Sequence, residues 1–119
     1  MKNTVNYLRT YRKQTQITQS DIAFLLDKED NSNLSRCEKG KRSPSMEMIM
    51  VYHLLFNTPV ISFFTNQRDA VKQHLIRRIK ELIDDLEREE PTENIQSRME
   101  YLKSALSRLT QEKTYEHKQ

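Results

Sequence analysis

A polar and basic segment between residues 31 and 42 carries the side chains best suited to bind another molecule. Four hydrogen-bonding residues stand close together in it: Asn31, Ser32, Ser35 and Arg36. An Asn amide can pair with adenine, and an Arg guanidinium with guanine, through two hydrogen bonds each. Three cations follow: Lys39, Lys41 and Arg42. Cations bind phosphate without distinguishing base sequence. The segment therefore predicts a surface that contacts nucleic acid.

The spacing of apolar residues places this segment on a short helix. Leu34 and Cys37 form its inner face, so the four hydrogen-bonding residues are expected to project outward. Asp30 or Asn31 can cap its start, and Gly40, the one glycine of the chain, suits its left-handed end.

Four further short helices are predicted around it. They begin near residue 5, after Thr18, within Ser43-Pro44-Ser45, where either serine can be the cap, and at Pro59. Asn57 can end the fourth helix of the series. The connections between them are only a few residues long, which predicts an all-α cluster of five helices.

The segment over residues 17–42 resembles the Cro and phage-repressor (XRE-type) family of helix-turn-helix proteins. The matching residues are Thr18-Gln19, Ile22-Ala23, Leu34-Ser35-Arg36, Glu38, Gly40-Lys41 and Pro44, followed by Ile49-Met50 and Phe63-Phe64. The resemblance spans about residues 3–65. It implies a five-helix repressor-type DNA-binding domain whose third helix enters the major groove.

The turn of the motif departs from the family pattern by one extra residue. Asp27 or Lys28 replaces the glycine of the family's turn, so we place the recognition helix by Leu34 and Gly40. We assign base contacts to Asn31, Ser32, Ser35 and Arg36. We assign phosphate contacts to Gln19, Asn33, Lys39, Lys41 and Arg42. Gln19 belongs to this second set because it stands at a helix N-terminus, where its amide and backbone N–H groups can hold phosphate.

The second half of the chain has a different pattern, which predicts an antiparallel two-helix hairpin. One apolar stripe comprises Val71, Leu75, Ile79, Leu82 and Leu86, and another comprises Ile95, Met99, Leu102, Leu106 and Leu109. Pro91 interrupts the two, and Thr92 can cap the second helix. Ile76, Ile83 and Tyr101 are expected on the flanks of these stripes, where a two-fold mate would bury them. The predicted domains are residues 1–65, which bind DNA, and residues 66–119, the hairpin.

Charge is distributed unequally between these halves. Residues 1–65 carry nine Lys/Arg and six Asp/Glu, whereas residues 66–119 carry eleven of each. The positive excess favours a polyanionic partner for the first half. The hairpin tip is acidic, and we interpret it as a solvated loop, or as a feature that avoids DNA or recruits a basic partner.

Several other classes of protein are not supported. The chain shows no phosphate-cradling glycine loop, no metal-ligand spacing among its three His and no nucleophilic triad, so neither an enzyme nor a cofactor nor a metal site is predicted. Cys37 is the one cysteine and is expected in the core. No apolar run approaches a membrane span, and the family resemblance implies a cytoplasmic protein of prokaryotic or phage origin.

Two hypotheses for function remain open. The first is a transcriptional regulator, most simply a repressor, that binds a palindromic double-stranded DNA operator as a homodimer through residues 66–113. The second is a protein-interaction module, such as an antitoxin or an antirepressor-controlled switch, whose hairpin binds a partner protein. A hairpin that merely extends the core of a monomer is a further alternative.

Overall fold

A computed structural model describes residues 5–112, which form two compact units divided between Arg68 and Asp69. Residues 1–4 and 113–119, the ends of the two predicted domains, lie outside the described part. The first unit contains α1 (Leu8–Lys13), α2 (Gln19–Leu25), α3 (Ser32–Glu38), α4 (Met46–Leu55) and a short 3-10 helix (Val60–Phe63). Two long helices follow, α5 (Thr65–Glu87) and α6 (Glu93–Gln111). The described residues contain helices and no strand, so the all-α prediction is confirmed.

Side-chain caps begin three of these helices at the residues that the sequence indicated. The Thr18 hydroxyl accepts a hydrogen bond from the Asp21 N–H at 3.0 Å, and the Asp21 carboxylate accepts one from the Thr18 N–H. The hydroxyls of Ser45 and Thr92 cap α4 and α6 by accepting from the N–H groups of Met48 and Ile95, without a reciprocal bond. These bonds satisfy backbone donors that have no partner within the helix.

Helices α2, α3 and α4 end alike, each with one residue in the left-handed conformation: Asp27 (φ 59°), Gly40 (φ 77°) and Asn57 (φ 49°). At the end of α2 the Lys28 N–H donates to the Ala23 carbonyl at 2.8 Å, and the Asp27 N–H donates to the Phe24 carbonyl at 3.0 Å. This pair of bonds is the Schellman motif. Of the two residues that the sequence offered in place of a turn glycine, Asp27 takes the left-handed conformation and Lys28 does not.

The core of the first unit lies between its four α-helices and the 3-10 helix. Its buried residues are Leu8, Ile22, Leu34, Cys37, Met48, Tyr52 and Phe63. Phe63 lies at the centre of an aromatic group, with edge-to-face contacts to Tyr11 at 5.4 Å and to Tyr52 at 6.2 Å between ring centroids. Cys37 is fully buried, as expected of an apolar core residue.

The fifth element of this unit is shorter than the predicted helix. Pro59 precedes it as expected, but it is one turn of 3-10 helix, and Thr65 already belongs to α5. The apolar residues around Phe63 indicated a helix correctly, but a four-residue segment permits only a single tight turn.

The buried face of α5 differs from the predicted one. Beyond Thr65 at its start, five positions of α5 are buried: Lys72, Ile76, Ile79, Ile83 and Leu86. Of the residues predicted to form the stripe, Val71, Leu75 and Leu82 are exposed. Ile79 and Leu86 are buried as predicted, whereas Ile76 and Ile83, which were predicted on the flanks, are also buried. The predicted stripe was therefore wrong at three of its five positions. The predicted stripe and the buried stripe lie side by side on α5, and both have apolar residues at intervals of three or four. The spacing of apolar residues in the sequence therefore cannot show which stripe faces α6.

The residues of α6 that face α5 agree better with the apolar stripe predicted for this helix. Ala105 is buried, and the predicted stripe from Ile95 to Leu109 is half-buried. At the open end of the hairpin the Lys72 ammonium donates to the Glu112 carbonyl at 3.0 Å and lies 3.6 Å from its carboxylate. The buried Lys72 ammonium interacts favourably with the negative end of the α6 dipole and links α5 to α6.

Candidate nucleic-acid interface

Helix α3 presents a narrow outward face opposite its buried residues Leu34 and Cys37. Ser32 and Arg36 are exposed on this face, whereas Asn31 and Ser35 are half-buried beside it. The four predicted base-contacting residues therefore do not share one face equally. Asn33 is also exposed, on the opposite flank of the helix from Asn31.

A buried ion pair fixes the carboxyl end of α3 to the rest of the first unit. Two of the three guanidinium nitrogens of Arg12 in α1, Nε and Nη2, donate to the Glu38 carboxylate, at 2.8 Å and 2.9 Å. The Tyr52 hydroxyl of α4 donates to the same carboxylate at 2.5 Å, and the Gln19 amide of α2 donates at 3.0 Å. Glu38 thus connects α3 to α1, α2 and α4 at one point.

The ionisation of these groups follows from their contacts. Burial alone would raise the pKa of Glu38, but hydrogen bonds from Arg12, Tyr52 and Gln19 outweigh it and hold that pKa below its usual value. The hydrogen bond to Glu38 raises the pKa of Arg12 despite its burial. Burial, and then the hydrogen bond to Glu38, raise the pKa of Tyr52 strongly. Glu38 is therefore ionised and Tyr52 is neutral at physiological pH.

Gln19 extends this network to the start of the recognition helix. Its amide nitrogen donates to Glu38, while its amide oxygen accepts a hydrogen bond from the Asn31 amide at 3.3 Å. Asn31 occupies the N-cap position of α3, but its side chain makes no capping bond there. Gln19 was predicted to bind phosphate through its amide, and in this structure both ends of that amide have protein partners. Its phosphate contact stays a prediction.

The longer turn, residues 26–31, is closed by its own acidic residues. Asp27 adopts the left-handed conformation, and the Asp30 carboxylate accepts a hydrogen bond from the Ser32 N–H at 3.0 Å. That backbone bond is the main reason why the pKa of Asp30 lies below its usual value. The sequence left Asp30 and Asn31 as alternative caps, and Asp30 supplies the bond.

Basic and polar groups flank the outward face of α3 on two sides. Lys39, Lys41 and Arg42 are exposed around the Gly40 turn. On the other side, a cavity of about 370 Å³ opens beside the start of α2. Its polar lining includes Lys13, Thr18, Gln19, Ser20 and Asn31. This arrangement can accept phosphate groups on both sides of the recognition helix.

Sequence reasoning missed two members of the buried network. Neither Arg12 nor Tyr52 received a role in the sequence analysis. Glu38 was named only as a residue that matches the family pattern, whereas its partners lie 14, 19 and 26 positions away along the chain. An Arg at an apolar position is the one feature of the sequence that could have indicated a buried partner.

These features define the class of the first unit: a helical domain in which a capped α2 and a turn over residues 26–31 precede the exposed helix α3. Comparison with known protein families agrees, because residues 8–62 match the model of the family described as Helix-turn-helix. This part of the chain belongs to the XRE/Cro-type helix-turn-helix family, whose members are DNA-binding regulators.

No curated protein and no solved structure shows a significant match to this chain. Within residues 5–112, no helix is both long enough and apolar enough to cross a membrane.

Proposed function

We propose that this protein is a transcriptional repressor that recognises a specific double-stranded DNA sequence with α3 in the major groove. The observation that carries the proposal is the outward face of α3, with Ser32 and Arg36 exposed on a helix that the buried Glu38 ion pair fixes in place. A recognition helix must be rigid, since base contacts depend on placement within a fraction of an ångström.

The roles of the side chains follow from their surroundings. Arg36 is exposed and suits the two acceptors of guanine, while Ser32 can bond either to a base or to phosphate. Asn31 is held by Gln19 at the edge of the same face and suits adenine, and Ser35 lies beside it. The remaining contacts go to the DNA backbone, from Gln19, Asn33, Lys39, Lys41 and Arg42.

The proposal includes a two-fold homodimer on a palindromic operator. One short recognition helix reads too few base pairs for useful specificity, so two copies about one helical turn of DNA apart, roughly 34 Å, are required. Residues 66–113 are the element that we assign to dimerisation. A protein acting on chromosomal or phage DNA works in the cytoplasm, which is therefore its proposed location.

Selection of binding sites from a pool of random duplexes tests this function directly. We expect the full chain to enrich two inverted half-sites with a fixed spacing. As a control, the Arg36→Ala variant should enrich the half-site poorly at one position. Recovery of random sequences by the wild type would contradict sequence-specific binding.

The exposed stripe on α5 supports a second candidate function. Val71, Leu75 and Leu82 leave an apolar strip of the hairpin uncovered, and such a strip could bind a partner protein in an antitoxin or an antirepressor-controlled switch. A full chain that is monomeric at micromolar concentration and binds DNA only weakly would favour this alternative.

A further inference from the structure

The Glu38 carboxylate accepts four hydrogen bonds, two at each of its oxygens. Its Oε2 atom accepts from Arg12 Nε at 2.8 Å and from the Tyr52 hydroxyl at 2.5 Å. Its Oε1 atom accepts from Arg12 Nη2 at 2.9 Å and from the Gln19 amide nitrogen at 3.0 Å. A carboxylate offers about four lone-pair positions, so this one is fully occupied. Its side chain is 1% exposed, and water does not compete for these positions.

This carboxylate fixes the orientation of the Gln19 amide. An ionised carboxylate only accepts hydrogen bonds, whereas an amide has an NH2 group that donates and an oxygen that accepts. If the Gln19 amide were rotated by half a turn, its oxygen would replace the nitrogen that lies 3.0 Å from Glu38 Oε1, and two acceptors would repel each other. The NH2 group of Gln19 therefore faces Glu38, and its oxygen faces the start of α3.

The Gln19 oxygen fixes the orientation of a second amide in turn. It accepts a hydrogen bond from the Asn31 amide nitrogen at 3.3 Å. With its NH2 group held there, Asn31 keeps its second N–H and its oxygen for another molecule. Within the described part of the chain, no group donates to that oxygen. The start of α3 therefore presents an acceptor and a donor in a fixed order.

Asp30 explains why the Asn31 oxygen is not used to cap α3. An Asn at the N-cap of a helix ordinarily accepts a hydrogen bond from a backbone N–H of the first turn. Asn31 occupies that position, but Asp30 accepts from the Ser32 N–H at 3.0 Å, and the Asn31 side chain makes no capping bond. Asn31 is half-buried in the N-terminal part of α3, the part of a recognition helix that meets base edges. Its amide is thus available to a base.

The order of acceptor and donor distinguishes adenine from guanine. In the major groove adenine offers its N6 amino group as a donor beside the acceptor N7, whereas guanine offers two acceptors, O6 and N7. Asn31 in this orientation can accept from N6 and donate to N7 of adenine. Opposite guanine, its oxygen would face O6 with no proton between them. Rotating the Asn31 amide to suit guanine would set its oxygen against the Gln19 oxygen.

We propose that Glu38 and Gln19 are positioning residues, which orient the Asn31 amide so that it accepts adenine and rejects guanine at one position of the half-site. This inference rests on the proposed function, in which Asn31 contacts a base. It deepens that function by assigning the choice of base to two residues that do not touch the base. The second N–H of the Gln19 amide remains for phosphate, so both roles of Gln19 are compatible.

Base preference at the position that Asn31 reads tests this inference in the full chain. Selection from random duplexes gives the half-site of the wild type, and Asn31→Ala identifies the position whose preference disappears. Competition between duplexes with A·T or G·C at that position should show an adenine preference of about 10-fold or more in the wild type. Gln19→Met has a similar length but no amide, and it should lower this preference at least about fivefold.

The other positions of the half-site provide the control for Gln19→Met. Their preferences should persist, because Arg12 and Tyr52 still hold Glu38 and the carboxyl end of α3. Circular dichroism verifies that the variant keeps its helix content. A loss of preference that is equal at every position would show that Gln19 supports only the fold, and it would overturn the inference. An unchanged adenine preference would overturn it as well.

Gln19→Lys is a second variant, which reverses the order of the groups. An ammonium only donates, so an introduced lysine that bonds to Glu38 presents a donor to Asn31 in place of the Gln19 oxygen. The Asn31 oxygen then turns to the ammonium and its NH2 group turns to the base, which suits the two acceptors of guanine. We expect the preference to move from adenine to guanine. The matched control is Gln14→Lys, which adds the same charge at an exposed position after α1 and should leave the ratio unchanged.

The outcomes separate this inference from the proposed function. A Gln19→Lys variant that prefers adenine as strongly as the wild type would overturn the inference. A wild type that selects a half-site in which Asn31→Ala changes no position would also overturn the inference, but sequence-specific binding would stand. A wild type that selects no sequence would overturn both.

Discussion

At the scale of single residues, the ends of the helices show how this sequence replaces glycine. The chain contains one glycine, yet three helices of the first unit end with a left-handed residue. Asp27 and Asn57 fill two of these positions, because a short polar side chain tolerates this conformation better than other side chains. The substitution still costs free energy relative to glycine, since Cβ crowds the neighbouring carbonyl.

Asp27→Gly is therefore expected to stabilise the protein by about 0.5–1 kcal/mol. Urea denaturation followed by circular dichroism measures the difference. The matched control is Lys28→Gly in the same turn, which should not stabilise, because Lys28 is not left-handed and glycine only adds freedom to the unfolded chain. An Asp27→Gly variant less stable than wild type would show that the aspartate contributes a contact beyond the turn geometry.

The second prediction at this scale separates base contacts from phosphate contacts. Arg36→Ala should lose about 1–3 kcal/mol of discrimination between operator and random DNA, because Arg36 projects from the outward face of α3. Lys41→Ala should weaken binding to both DNAs about equally. Competition assays with the two duplexes measure the ratio. If Arg36→Ala leaves the ratio unchanged, α3 is rotated relative to our placement.

At the scale of elements, one carboxylate joins the four α-helices of the DNA-binding domain. Arg12, Gln19 and Tyr52 come from three helices and all donate to Glu38 of α3. Removing one member of a buried ion pair leaves the other charged and unpaired, at a cost of about 3–5 kcal/mol. The total free energy of unfolding of a domain of this size is only a little larger than this cost. The orientation of α3 therefore depends on this network.

The pH dependence of stability should report this network. The pKa of Glu38 is lower in the folded state than the unfolded value of about 4.3, so its stabilising contribution is complete above that pH. The contribution is lost as the pH falls from about 5 through the folded pKa. Thermal unfolding measured from pH 7 to pH 3 should show this loss in the wild type.

The control for this pH dependence is Glu38→Gln. The variant should be less stable at pH 7, and its melting temperature should fall less steeply in acid. Asp30, whose pKa is also lowered, is present in both proteins and does not affect the difference between them. Parallel pH profiles would contradict an ionised Glu38 in the folded protein.

At the scale of the whole molecule, local patterns were predictable and long-range partners were not. The sequence predicted α3 correctly from Leu34, Cys37 and Gly40, because the buried face and the end of a helix depend on residues that are close together in the chain. The Arg12–Glu38 pair joins residues 26 positions apart, and nothing local specifies it. The face of α5 was misassigned because both of its stripes are apolar at helical spacing, and only packing selects between them.

The salt dependence of DNA binding should report both halves of the molecule together. We expect about four phosphate contacts for each copy, from Lys39, Lys41, Arg42 and the start of α2. A dimer then gives a slope of roughly −7 in a plot of log affinity against log salt. A variant of the full chain that no longer dimerises through residues 66–113 should give about half that slope, because only one copy then releases counterions. Titration of a labelled operator at several salt concentrations measures both slopes. Equal slopes would mean that the hairpin does not bring two DNA-binding domains to the same operator, and a flat response in the wild type would exclude phosphate as the main source of affinity.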